Sequence, residues 1–124
     1  MDAGADFVYG SHAHTLQPAE EYKGKLIYYS MGNWTFGGNT NPRDKDTVMV
    51  RLTVMRDLDG SISLADRENI PCSSSGESNI NNYQPVILDE EADAERCARI
   101  RAKLDGSFTG SDLSIGYEYD FNEF

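Results

Sequence analysis

The pentapeptide G-S-H-A-H, residues 10–14, holds both histidines of the chain, His12 and His14. Imidazole is a good ligand for a divalent metal ion, and residues i and i+2 of an extended chain point to the same side. Both rings could then reach one ion, or the two ions of a centre that activates water or another nucleophile. A metal held for structure or catalysis needs three or four protein ligands, supported by a surrounding shell. The sequence offers no third histidine. Asp2 and Asp6 precede the pair, and Asp6 reads as an anchor for the entry to a strand. The spacing alone leaves two readings open: one edge of a metal site, or two polar side chains in a solvated loop.

The pair follows "ADFVYG", a short apolar run ended by Gly10 that suits a buried strand. Open α/β sheets gather ligands at the carboxyl ends of such strands. Before it, "MDAG" reads as the last turn of a helix closed by Gly4. Four residues cannot form that helix, so the chain is expected to be an incomplete portion of a longer protein. Downstream, "AEEY" and "KLIYYSM" flank the turn Lys23-Gly24 and predict a hairpin. "GNWTFGGNTNPRDKD" reads as a loop. "TVMVRLTVMRD" and "SISLADRENI" predict a second hairpin turned by "LDG". "PCSSSGESNINN" is expected to be a polar loop, and "YQPVIL" a short strand that Pro85 confines to an edge or a strand start. One helix is marked by Asp89 as cap, with Glu90 and Glu91 at its positive end. Cys97, Ile100 and Leu104 fall on one face, with Ala94 nearby. Arg99, Arg101 and Lys103 suit its last turns, and Gly106 ends it. In residues 107–124, Ile115, Tyr117, Tyr119 and Phe121 alternate with polar residues. That segment is either a terminal half-buried strand or an acidic tail.

At 124 residues the chain is one domain. A net charge of -10 repels phosphate backbones and excludes nucleic acid as a partner. The sequence has neither an apolar run long enough to span a membrane nor a signal-peptide pattern. Cys72 and Cys97 neither require nor exclude a disulfide, and read as small buried residues.

A-G-A-D at a strand entry, G-x-H-x-H, L-Q-P, Y-K-G-K, and Y-S-x-G-N followed by an aromatic occur in that order. This stretch resembles the C-terminal part of the CapA-type bacterial capsule-synthesis proteins, linked to poly-gamma-glutamate and similar in fold to calcineurin-like metallophosphoesterases. The resemblance covers residues 2–89. It is densest over 2–37 and thinner through "DTVMVRLTV", "IPC" and "NNYQPVIL"; residues 107–124 match nothing. It implies an α+β class: a β-rich portion of an α/β-β/α metallophosphatase-like sandwich, with hairpins and one C-terminal helix. Residues 1–124 would be a single C-terminal portion of that domain.

Carried over residue by residue, the resemblance makes His12 and His14 ligands of divalent Mn, Zn or Fe. Gly10 matches the glycine that ends the strand before them. Family members often have proline where this chain has Ala13, and histidine or serine at Ser11; neither departure removes a ligand. Gly32 and Asn33 match the S-x-G-N turn. Asn33 is assigned to the catalytic site as an orienting or substrate-contacting group, against the alternative of a turn asparagine bonding its own backbone. The family's other metal motifs, an aspartate-bearing one and an Asn-His one, lie upstream of the segment matched here. The implied intact protein is a metal-dependent hydrolase or transferase at the cell surface or beyond the cytoplasm. Its partners would be poly-gamma-glutamate or a related anionic polymer, and this chain alone would be inactive. Unpaired strand edges also predict a homo-oligomer. Two other readings are a stand-alone polymer-binding module without catalysis, and a structural subunit that completes its site with a separate chain.

Overall fold

The computed structural model describes residues 1–109. Of the strand or tail expected over residues 107–124, residues 110–124 lie outside the described residues. Seven elements follow one another: β1 (Phe7–Tyr9), β2 (Ala19–Tyr22), β3 (Lys25–Tyr28), β4 (Asp46–Arg56), β5 (Ile62–Ser73), β6 (Val86–Ile87) and α1 (Ala94–Asp105). They form a β-rich α+β arrangement of two three-stranded sheets and one helix. Among the described residues no helix is long and apolar enough to cross a membrane.

The first sheet has the order β1-β3-β2. The β2–β3 hairpin forms where the sequence predicts it. Lys23 and Gly24 both take positive φ, 54° and 72°, which matches the right-handed twist of the strands they join. β1 runs parallel to β3. The run "ADFVYG" reads as a buried strand, but β1 is a three-residue edge. Only Phe7 packs on the core, while Val8 is 38% exposed and Tyr9 71%. Apolar composition set the expectation; the lack of a further strand beyond β1 among the described residues sets the exposure. Residues 1–4 form a turn in which Gly4 N donates to Met1 O at 2.9 Å and Gly4 has φ 96°. Asp6 takes the ammonium of Lys25 at 2.9 Å, at the entry to β1.

The second sheet has the order β4-β5-β6. The long β4–β5 hairpin carries a register shift at Thr53/Val54, and its distal end, with Val54, Met55, Leu58 and Ile62, is exposed. β5 continues through Pro71, Cys72 and Ser73, which the sequence assigns to a loop. Pro71 is tolerated there because its carbonyl accepts from Leu88 N at 3.0 Å. In a strand the imide nitrogen faces the same side, where β6 is ending, so the β4 ladder loses no donor.

α1 closes the core. Cys97, Ile100 and Leu104 pack with Leu16, Leu26, Tyr28, Val48 and Leu88. The helix begins at Ala94, later than Asp89 suggests. Asp89 Oδ1 accepts from Glu91 N and Ala92 N and builds a separate turn, and Asp93 is the cap residue. Ala94 itself is exposed. Gly106 ends the helix with φ 79°. Both cysteines are buried free thiols, and burial raises both above the usual thiol range. Arg99 and Lys103 depart from their expected role at the helix end: they turn inward to Asp46.

Candidate functional site

The site forms where β1 and β3 end. Gly10 N donates to Tyr28 O, and Gly10 O accepts from Met31 N, both at 2.8 Å. A Cβ at Gly10 would lie 2.3 Å from Tyr29 O, so only glycine permits this close approach. The chain then turns. His14 N donates to Ser11 O at 3.0 Å, and His14 adopts φ 58°.

The extended H-x-H geometry expected from the spacing is therefore replaced by a turn. The turn still brings the two exposed rings together, with centroids 6.3 Å apart and planes at 43°. Two imidazoles on one tetrahedral ion, with metal–nitrogen bonds of about 2.1 Å, place their centroids about 5 Å apart. As it stands the pair is wider than that. Closing it on one ion requires His12 to rotate, which its exposure allows.

Asn33 meets His14 directly. His14 Nδ1 and Asn33 Oδ1 are 2.7 Å apart. A carbonyl oxygen only accepts, so Nδ1 carries a proton, and in the neutral ring Nε2 keeps its lone pair. A ring nitrogen fixed in this way presents the other nitrogen as an acceptor or ligand. Asn33 thus contacts the imidazole, and is itself 8% exposed. Its turn depends on Gly32, which has φ 74° and whose absent Cβ would fall 2.8 Å from Asp46 O.

Beside His14 and Asn33 runs a groove of about 420 Å³ between the end of β1 and the start of β4. Tyr9, Trp34 and Phe36 supply aromatic walls, and among the described residues no Lys, Arg, Asp or Glu lines it. The Phe36 ring stands 4.4 Å from that of His14. Sequence reasoning did not assign these aromatic residues to the site. The one signal for them was the aromatic that follows Y-S-x-G-N.

Behind the site lies a charged cluster that the sequence did not reveal. Asp46 is buried and accepts from Arg96 Nε at 2.7 Å, Arg99 Nε at 2.8 Å and Lys103 Nζ at 3.1 Å. Burial pushes its carboxyl upward. The hydrogen bonds from Arg99 and Arg96, with the Lys103 charge, outweigh that and lower it to about 2. Asp44 accepts from Lys103 Nζ at 3.0 Å and from Thr15 Oγ1 at 2.8 Å.

Among the described residues no group of three or more His, Cys, Asp or Glu side chains stands close enough to hold a metal ion. The imidazole donors at this turn are two, His14 with Nε2 facing away from Asn33 and His12 beside it.

Residues 1–38 match the family described as bacterial capsule synthesis protein PGA_cap. The chain is 48% identical over 52 residues to the PGA biosynthesis protein CapA of Bacillus subtilis (strain 168), a match covering 41% of this chain and 14% of that protein. It is 43% identical over 51 residues to the capsule biosynthesis protein CapA of Bacillus anthracis, covering 41% of this chain and 12% of that one. The matched stretch thus spans a small share of either relative's length. No solved structure matches the chain significantly. Over residues 1–38 the chain is thus similar to the CapA-type bacterial capsule synthesis proteins.

Proposed function

We propose that this chain supplies the H-x-H edge of a two-metal site in a protein of capsule or poly-gamma-glutamate biosynthesis. One observation carries the reading: the Asn33 carbonyl fixes the His14 tautomer and leaves Nε2 as donor. In this reading His12 and His14 hold the metal, which is Mn, Zn or Fe, and Asn33 orients His14. The metal, when bound, supplies Lewis acidity and an activated nucleophile. The remaining ligands come from outside these 124 residues, from the N-terminal part of the same protein. The two sheets then belong to a metallophosphatase-like sandwich that this part completes. The groove walled by Tyr9, Trp34 and Phe36 seats uncharged parts of the substrate. Among the described residues it offers no cationic side chain, so in this reading the carboxylates of an anionic polymer are met elsewhere. The exposed edge strand β1 favours self-association of the isolated chain, and a role in capsule synthesis places the protein's work beyond the cytoplasm in this reading.

A polymer-binding or structural role without catalysis is the second reading. It is favoured by the two-imidazole donor set and the aromatic groove. The test is phosphodiester hydrolysis by the 124-residue chain with added manganese, where none is expected. Turnover that disappears in His12→Ala would overturn the requirement for outside ligands. In the full-length protein, His12→Ala and His14→Ala are each expected to lower metal content by elemental analysis. Unchanged metal content in both favours the second reading.

A further inference from the structure

His14 holds a left-handed backbone conformation, φ 58°, in an exposed turn. That conformation costs a residue with a Cβ on the order of 1 kcal/mol. Such a conformation persists where surrounding contacts over-determine it. Asn33 ties one side, through the imidazole. The other tie is Thr15, the next residue, whose Oγ1 donates to Asp44 Oδ2 at 2.8 Å. Asp44 is a rigid acceptor. Its Oδ2 also takes Lys103 Nζ at 3.0 Å, and its Oδ1 accepts from the backbone N of Asp46 at 2.9 Å. Lys103 is 4% exposed on α1, and its ammonium reaches Asp46 as well.

We infer that Asp44, acting through Thr15, is a positioning residue for the His14 imidazole, and that α1 sets the site's geometry through Lys103. The chain of contacts runs from Lys103 to Asp44 to Thr15 to the backbone of His14, and so to the Nδ1–Asn33 bond. Asp44 and Lys103 lie outside the 1–38 stretch shared with the capsule synthesis family. The metal-binding consequence rests on the reading of His14 as a ligand; the tautomer consequence does not.

The tautomer is read by nitrogen-15 NMR of the ring nitrogens at pH 8, where imidazole is neutral. Wild type is expected to hold His14 with the proton on Nδ1. Thr15→Val keeps the shape and the Lys103–Asp44 ion pair. It is expected to release His14 to the ordinary mixture, with His12 unchanged as internal control. Thr15→Ser is expected to restore the wild-type tautomer, and Asp44→Ala to reproduce Thr15→Val. Zinc titration supplies the second readout. Thr15→Val is expected to weaken zinc binding about tenfold, as loss of an outer partner does, and Thr15→Ser to recover it. Wild-type tautomer and zinc affinity in Thr15→Val would overturn the positioning role while leaving the metal reading standing. Equal zinc affinity in wild type and His14→Ala would instead overturn the metal reading, and the tautomer shift alone then decides the positioning role.

Discussion

Two polar clusters meet across Gly32 and Thr15, and they are built in opposite ways. Around Asp46 the carboxylate is 1% exposed, and three cations from one helix converge on it. Around His14 the rings are exposed, and the hydrogen bond to Asn33 holds one of them. The first cluster uses burial to make ion pairs strong and thereby locks α1 onto β4. The second leaves its lone pairs open to solvent, as any group that takes an exchangeable ligand must. The contrast divides the two: the Asp46 cluster ties α1 to β4, the turn presents its donors to solvent, and Asp44 with Gly32 joins them.

The sharpest test of that division is Asp46→Ala. Removing one member of a buried ionic cluster leaves charge without its counterpart and costs about 3–5 kcal/mol. Urea unfolding of the variant should show that loss, and a loss below about 1 kcal/mol would break the comparison at its buried end. Gly32→Ala comes next. Alanine there adds a left-handed backbone penalty and a contact with Asp46 O that would stand at 2.8 Å. About 2–3 kcal/mol is expected by the same measurement. Because Gly32 precedes Asn33, zinc affinity should fall as well.

Acid probes the cluster without mutation. The folded pKa of Asp46, about 2, lies below the 3.8 of the free side chain. A depressed carboxyl contributes stability that is fully present above pH 4 and is lost as pH falls towards 2. The shift corresponds to about 2 kcal/mol. Unfolding free energies measured at pH 5 and pH 2 should differ by at least that much, with Asp46→Ala showing a smaller difference. Equal pH dependence in the two proteins would mean that other carboxylates carry the effect.

The division also explains what the sequence made legible. Both hairpins and the helix were readable because their signals are local: Lys23-Gly24, "LDG", period-two alternation, and Cys97, Ile100 and Leu104 on one face. His12, His14 and Asn33 were readable as a motif, since they lie within 22 consecutive positions of the densest resemblance. The geometry within the motif was not, because an extended chain and a turn both bring residues i and i+2 together. The ionic cluster was invisible for a different reason. Its partners Asp46 and Arg99 are 53 positions apart, and helix-end basic residues already had a sufficient local explanation. The exposure of β1 escaped for a third reason, as composition reports what a strand could bury and not what is there to cover it.

The smallest expected effect lies in the histidines themselves, and it separates two residues that the motif treats alike. His12 is exposed, and its ring meets His14 only at 6.3 Å between centroids. His12→Ala should therefore change stability by no more than about 0.5 kcal/mol. His14 donates to a largely buried Asn33 carbonyl. Its removal leaves that acceptor without the imidazole and forfeits the contact with Phe36. Alanine keeps the same left-handed strain, so nothing is recovered in exchange, and His14→Ala should cost about 1 kcal/mol. Urea unfolding of the two variants and the double variant measures the difference, and the double should equal the sum if the rings act independently. Equal losses for His12→Ala and His14→Ala would show that the Asn33 bond holds nothing in solution, and His14 would then be as unconstrained as His12.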